Sequence, residues 1–281
     1  SDPDADRVGA AVKNNEGEWV LLNGNQTALM FVYYLIIRWK ELGKINGKEY
    51  IVKTIVTTET IKTIAERNGV EMYDVYTGFK WIANVMRENE GKKNYIGGGE
   101  ESYGFLCEDF VRDKDAVSAC VILAEIAAWA KDQGLSLYQL LQKIYVEYGF
   151  SKEKGISVVK KGKSGAEEIE AMMKKFRENP LTEIAGSKVT YFYDYSTLKG
   201  KDYAENETVT LDMPTTSNVL QYFTEDNTKD GTKVSIRPSG TEPKIKFYCE
   251  VHSKVKSIDE LPEAEKAAEE KINQIKASLG I

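Results

Sequence analysis

The chain has 281 residues, of which 42% are hydrophobic and 29% charged, with a net charge of −6. That length exceeds what one core usually holds and predicts two domains, and the composition is that of a folded globular protein. The acidic balance excludes a nucleic-acid binder, which needs surplus Lys and Arg against the phosphate backbone, but leaves room for a small phosphorylated ligand.

In chain order, VGAAV and EWVLL read as two short strands joined by the polar turn KNNEGE. Residues 26–42 take up helical spacing, with Gly43 as the C-cap. The apolar run ALMFVYYLII inside that helix is about half the length needed to span a bilayer, so no membrane crossing is expected. YIVKTIVTT is a β-branched strand, a helix follows over 59–67, VEMYDVYTG is strand and turn, and FKWIANVMREN is a helix. NYIGGG is a short strand running into glycines, followed by helices over 115–131 and 136–147. The alternation predicts a layered α/β domain over 23–150, a mixed sheet with flanking helices.

Beyond it, GISVVKKGKSG reads as strand and connector, AEEIEAMMKKFREN as a helix, and KVTYFYDY, NVLQYFT, KVSIR and KIKFYCEV as strands. A closing helix over 261–279 carries Leu261, Ala264, Ala268, Ile272, Ile275 and Leu279 on one face and stops at Gly280. Residues 151–281 are therefore expected to form a smaller α+β domain. Cys107, Cys120 and Cys249, with no C-x-x-C pair, fit a reducing, cytoplasmic setting better than a disulfide framework or a zinc site. The first residues are acidic, unlike a signal peptide, and the abrupt start in an acidic loop predicts a piece of something longer.

Five short stretches carry candidate chemistry. In SDPDADRVG, Asp2, Asp4 and Asp6 alternate in an extended loop and can converge on one hard, oxygen-preferring cation; a solvated acidic turn explains the spacing equally. An EF-hand fails, because Arg7 holds the slot for Gly and Lys13 the slot for Glu. Arg7 beside such a cation suits a phosphate bridging both. In GGGEESYG, three glycines allow a backbone to approach a ligand closely. Glu100, Glu101 and Ser102 there offer the acceptors and hydroxyl that vicinal sugar hydroxyls require, with a flexible acidic turn as the plainer reading.

YTGFK puts Lys80 in the first turn of a helix, where a cation opposes the macrodipole unless an anion joins it. In VRDKDAV, Lys114 is either a ligand-binding cation or a surface lysine, and one flanking aspartate is an N-cap. IRPSGTEPKIKFY is the strongest constellation. Ser239, Gly240 and Thr241 between two strands offer N–H groups and hydroxyls to an anion, Arg237 adds a two-pronged donor, and Lys244 and Lys246 share a strand face. The GKS at 162–164 lacks the earlier glycine of a P-loop, Ser157 standing in its place. His252, the single histidine, reads as a surface residue rather than a member of a Ser-His-Asp triad.

Taken in this order, DPDADR, YTGFKWI, GGGEESYG, VRDKDAV and RPSGTEPKIKFY resemble the α-D-phosphohexomutases, the phosphoglucomutase and phosphomannomutase superfamily. The resemblance implies a four-domain architecture, in which residues 1–22 are the tail of the metal-binding second domain, 23–150 the sugar-binding third and 151–281 the phosphate-binding fourth. It implies that Asp2, Asp4 and Asp6 bind Mg²⁺ with Arg7 beside a phosphorylated serine, and that Glu100 and Ser102 hold sugar hydroxyls with Lys80 and Lys114 near the ligand. Arg237, Ser239, Gly240 and Thr241 would grip the phosphate that is not being transferred. Many members have a further basic residue near the end of that last strand; Tyr248 stands there, and Lys244 or Lys246 would substitute.

The implied reaction interconverts hexose 1-phosphate and hexose 6-phosphate through a phosphoserine and a sugar bisphosphate. GEES resembles the glucose form of the loop more than the GEMS of mannose-accepting relatives. No Ser-His stretch matches the phosphoserine, so these 281 residues alone are expected to be inactive. A phosphopentomutase, a sugar-bisphosphate synthase or a non-catalytic phosphosugar-binding module are the alternatives.

Overall fold

The computed structural model describes residues 1–160, 162–225, 230–240 and 242–281. The chain divides into two compact units, Ser1–Tyr148 and Gly149–Ile281.

The first unit opens with a hairpin, β1 (Ala10–Lys13) and β2 (Trp19–Leu22). Helix α1 (Gly24–Glu41) starts at a capping box: the Asn23 side chain accepts the Gln26 N–H, and the Gln26 side chain accepts the Asn23 N–H. There follow β3 (Glu49–Thr54), α2 (Thr60–Arg67), β4 (Glu71–Val75), α3 (Phe79–Asn89), β5 (Asn94–Gly99), β6 (Phe105–Cys107), α4 (Ala116–Asp132) and α5 (Leu137–Tyr148). The sheet order is β4-β3-β5-β6, parallel except for β6, so it is a mixed sheet with flanking helices. Residues 28–36 of α1 are all buried, as an apolar-all-round helix must be, against α2, α4, α5 and β5. A second group, including Tyr50, Val52, Phe79, Ile82, Met86 and Leu106, forms a core between α3 and the sheet.

Two details differ from the sequence reading. The strand expected over YIVKTIVTT stops at Thr54, where the Thr57 N–H turns back to the Thr54 carbonyl. The other concerns the three glycines, which offered room for a ligand's close approach. They are buried in β5, and a Cβ at Gly98 would stand 2.3 Å from the Val52 carbonyl oxygen, so strand packing requires them.

The second unit runs β7 (Phe150–Val159), α6 (Gly162–Glu178), β8 (Glu183–Ile184), β9 (Ser187–Asp194), β10 (Lys199–Asp202), β11 (Glu207–Thr210), β12 (Leu220–Thr224), β13 (Thr232–Pro238), β14 (Lys244–Ser253) and, after a 3₁₀ turn at Ile258–Glu260, α7 (Leu261–Leu279). Its antiparallel sheet has the order β11-β10-β9-β12-β13-β14-β7, with β8 beside β9. Phe247 and Tyr222 meet Phe176 of α6, one by ring contact and one by a hydroxyl donated to its carbonyl. Helix α7 buries Leu261, Ala268, Ile272, Ile275 and Leu279, and Gly280 ends it in the left-handed region at φ +72°. His252 is not at the surface: it is 3% exposed, with Nε2 2.8 Å from Glu250 Oε1, and Glu250 in turn meets Lys233 at 2.9 Å. Alternation places Glu250 and His252 on one strand face, where the lysine compensates their burial. Among the described residues no helix is long and apolar enough to cross a membrane.

Candidate functional site

In the first unit the candidate groups gather around the C-terminal ends of the parallel strands, the edge where open α/β sheets bind ligands. The acidic loop is wound tightly. Asp2 Oδ1 accepts the N–H groups of Asp6 and Arg7 at 3.1 and 3.0 Å, and Ala5 sits in the left-handed region at φ +56°. One carboxylate oxygen from each of Asp2, Asp4 and Asp6 lies within 4.8 Å of the others. Burial raises the Asp2 carboxyl, but the hydrogen bonds donated by the Arg7 and Asp6 backbones hold it below its ordinary value of 3.8. Arg7 Nε lies 3.6 Å from Asp6 and 4.0 Å from Asp2.

This loop is tied to the GEESYG loop by a bridge between Arg7 and Gly104 and by the Val8 N–H on the Tyr103 carbonyl. Lys114 completes the junction. Its Nζ is 3.2 Å from Asp6 and 3.0 Å from Asp113, and stands 5.3 Å above the Phe79 ring. The lysine stem crosses so close to Gly104 that a Cβ there would be 2.2 Å from Lys114 Cδ. Burial pulls the Lys114 ammonium down, and the carboxylates of Asp113 and Asp6 outweigh it, leaving its pKa above the usual lysine value. Asp115 is the N-cap of α4, accepting from Val117 and Ser118.

Glu100 is 8% exposed, and its Oε1 accepts the Gly78 N–H at 2.7 Å, which fixes the turn before α3. Its Oε2 has no partner among the described residues. Ser102 is half-buried, with its hydroxyl likewise without a partner among them. Lys80 is exposed, 5.2 Å over the Trp81 ring, on an open cleft of about 770 Å³ shared with Arg87, Arg112 and Asp113. The sequence reading missed the support beneath this loop. The Glu101 N–H meets Thr57 Oγ1 at 3.2 Å, Thr54 Oγ1 meets Glu101 Oε2 at 3.2 Å, and the Thr58 N–H meets Asn25 Oδ1 at 3.0 Å. The signal available was the threonine-rich run TIVTTET, too polar for the buried end of a parallel strand.

In the second unit, the Ser239 N–H just beyond β13 meets the carbonyl of Lys244, the first residue of β14, at 2.7 Å. Arg237 and Lys246 are direct cross-strand partners and so share a face. Gly240 is exposed, while Lys244 Nζ is held by Glu242 at 2.8 Å. Thr241 lies outside the described residues.

Residues 23–148 match the model for the phosphoglucomutase/phosphomannomutase α/β/α domain III, and residues 203–274 the model for the C-terminal domain of the same family. The chain belongs to the phosphoglucomutase/phosphomannomutase family, within the α-D-phosphohexomutases. A phosphoglucomutase of Staphylococcus aureus is 38% identical over 248 residues, covering 88% of this chain and 43% of its own. One of Staphylococcus haemolyticus is 33% identical over 252 residues, covering 90% and 44%. Among solved structures, pp63/parafusin (phosphoglucomutase) from Paramecium has a TM-score of 0.59 at 18% identity, covering 97% of this chain and 44% of its own. A phosphoglucomutase/phosphomannomutase family protein from Burkholderia thailandensis has 0.56 at 16%, covering 99% and 45%. These two share the fold. The chain spans less than half the length of the relatives it matches.

Family membership implies a metal cofactor, and the acidic loop fits one. Three carboxylates offer the oxygen donors a hard cation wants, and Asp6 Oδ1 is buried without a hydrogen bond.

Proposed function

We propose that this chain carries the metal-, sugar- and phosphate-handling residues of a mutase that interconverts hexose 1-phosphate and hexose 6-phosphate, with glucose as the sugar. What supports this reading most is one junction: Asp6, Arg7 and Lys114 meet the GEESYG loop through the Arg7–Gly104 bridge and the Lys114–Asp6 pair.

In this reading Asp2, Asp4 and Asp6 hold Mg²⁺. The cation, when bound, neutralises charge on the transferring phosphoryl group. Arg7 and Lys114 contribute fixed positive charge beside it, with Lys114 kept protonated by Asp113 and Asp6. Glu100 Oε2 accepts from a sugar hydroxyl, and the Ser102 hydroxyl donates to or accepts from another. Lys80 adds charge at the start of α3. Arg237, the backbone of Ser239 and Gly240, Thr241 and Lys244 hold the phosphate that does not react. Such a clamp reads the phosphate and not the sugar, so it accepts either orientation of a bisphosphate. The phosphoserine comes from outside these 281 residues. Three free cysteines suit a reducing compartment, the cytoplasm.

Calorimetric titration of the chain with glucose, mannose and ribose monophosphates in the presence of Mg²⁺ tests this. Glucose phosphates are expected to bind tightest. Equal affinity for inorganic phosphate would reduce the chain to an anion binder, and preference for ribose would make it a pentose-phosphate protein.

A further inference from the structure

The hydrogen bonds around Glu101 form a closed ring whose direction follows from chemistry. A carboxylate only accepts, so Thr54 Oγ1 is the donor to Glu101 Oε2 at 3.2 Å. A threonine hydroxyl has one proton, so in the 2.8 Å contact between Thr54 and Thr57 the donor is Thr57. Thr57 Oγ1 then accepts the Glu101 N–H at 3.2 Å, and the circuit is complete. Both threonines are fully buried, so neither hydroxyl can turn to solvent instead.

The surroundings fix each member. Lys53, also buried, places its Nζ 2.9 Å from Glu59, 2.7 Å from Asp74 and 3.4 Å from the Thr57 carbonyl, which pins the turn after β3. On the other side Gly24 opens α1 so near the loop that a Cβ would stand 2.0 Å from the Glu101 carbonyl oxygen. Two residues beyond Glu101, Tyr103 is left-handed at φ +73°, a conformation an L-residue keeps only where its surroundings over-determine it.

We propose that Thr54 and Thr57 are positioning residues that hold loop 100–104 in the conformation presenting Ser102 and Glu100 Oε2 to the sugar, and that Glu101 is a strut of this loop rather than a sugar ligand. The proposal rests on the phosphosugar reading above. It explains why adjacent glutamates differ in role: Glu100 keeps one oxygen without a partner, while Glu101 is engaged by both main chain and side chain.

The test compares Thr57→Val, Thr57→Ser, Glu101→Ala and Glu101→Gln in the full 281-residue chain, by amide hydrogen exchange over 100–104 and by the Kd for glucose 6-phosphate and for inorganic phosphate. Thr57→Val and Glu101→Ala break the ring. Each is expected to speed exchange in the loop and to weaken glucose 6-phosphate about tenfold, leaving inorganic phosphate unchanged. Thr57→Ser keeps the hydroxyl, and Glu101→Gln keeps an accepting oxygen, so both should behave as the unmodified chain. Should Thr57→Val not fold, Glu101→Ala, at the partly exposed member of the ring, carries the comparison. Unchanged exchange and affinity in the ring-breaking variants would overturn the proposal. So would a loss in Glu101→Gln equal to that in Glu101→Ala, since that marks a charged sugar ligand. If the unmodified chain binds no glucose 6-phosphate, the functional reading falls, and the exchange data alone decide whether the ring holds the loop.

Discussion

Arg237 and Lys246 stand opposite each other across β13 and β14, an arrangement of like charges that destabilises a sheet unless an anion joins them. The Lys246 ammonium lies 6.0 Å over the Tyr248 ring, while Arg237 has no partner among the described residues. Arg237→Ala should therefore weaken glucose 6-phosphate about 10- to 100-fold, the worth of a charged hydrogen bond, without lowering the melting temperature. A lower melting temperature with intact affinity would make Arg237 a structural residue. Glu250 is the opposite case, a buried charge serving the fold. Burial raises its carboxyl, but Lys233 and His252 outweigh it and hold it well below its ordinary value of 4.5. A carboxyl depressed in the folded state stabilises above its unfolded pKa, and that stability is lost as pH falls through the folded value. Glu250→Gln should destabilise the chain near neutrality by removing the carboxylate 2.9 Å from the buried Lys233 ammonium, and should flatten the acid side of the stability curve measured by urea unfolding between about pH 2 and 7. An unchanged acid limb would show that the pair does not govern it.

At the scale of elements, the caps are where sequence and structure agree best. Asp115 accepts two N–H groups at the start of α4, and the Ser118 contacts hold its carboxyl below the ordinary value despite burial. Asp115→Ala should cost about 1 kcal/mol and Asp115→Asn almost nothing at neutral pH, since both Asp and Asn cap well. Equal losses in thermal melts would contradict the capping role. Helices α3 and α7 were legible from end to end because a glycine turn, an apolar stripe and a terminal glycine mark them in sequence. β10 and β11, KGKD and ETVT, were not, because so little of them is apolar and only pairing with each other and with β9 makes them strands. The first half of β7, FSKEK, gains its strand character from the ladder to β14, which runs from Phe150–Ser253 to Val159–Lys244. The site divides in the same way. Alternating aspartates and the RPSGT turn are local patterns, readable in a line of letters. The threonine ring joins residues 44 and 47 positions apart, and the polar run TIVTTET signals buried hydroxyls without showing what they meet.

At the scale of the molecule, the two units carry different charge: the first an acidic loop tied to the GEESYG loop, the second a basic turn. The relatives are more than twice as long as the segment matched here. Under the proposed function, in which the phosphoserine lies outside these residues, the purified chain should show no glucose 1-phosphate turnover in a coupled assay with Mg²⁺. Measurable turnover would place the phosphoryl carrier within these 281 residues. The most direct measurement is an amide NMR titration of the chain with inorganic phosphate and then with glucose 6-phosphate, repeated on Arg237→Ala. Shifts at 237–240 are expected with both ligands and at 100–104 with the sugar phosphate alone, and Arg237→Ala should abolish the first set. Shifts confined to other residues, or an Arg237→Ala titration identical to the original, would contradict the assignment of phosphate to the RPSGT turn.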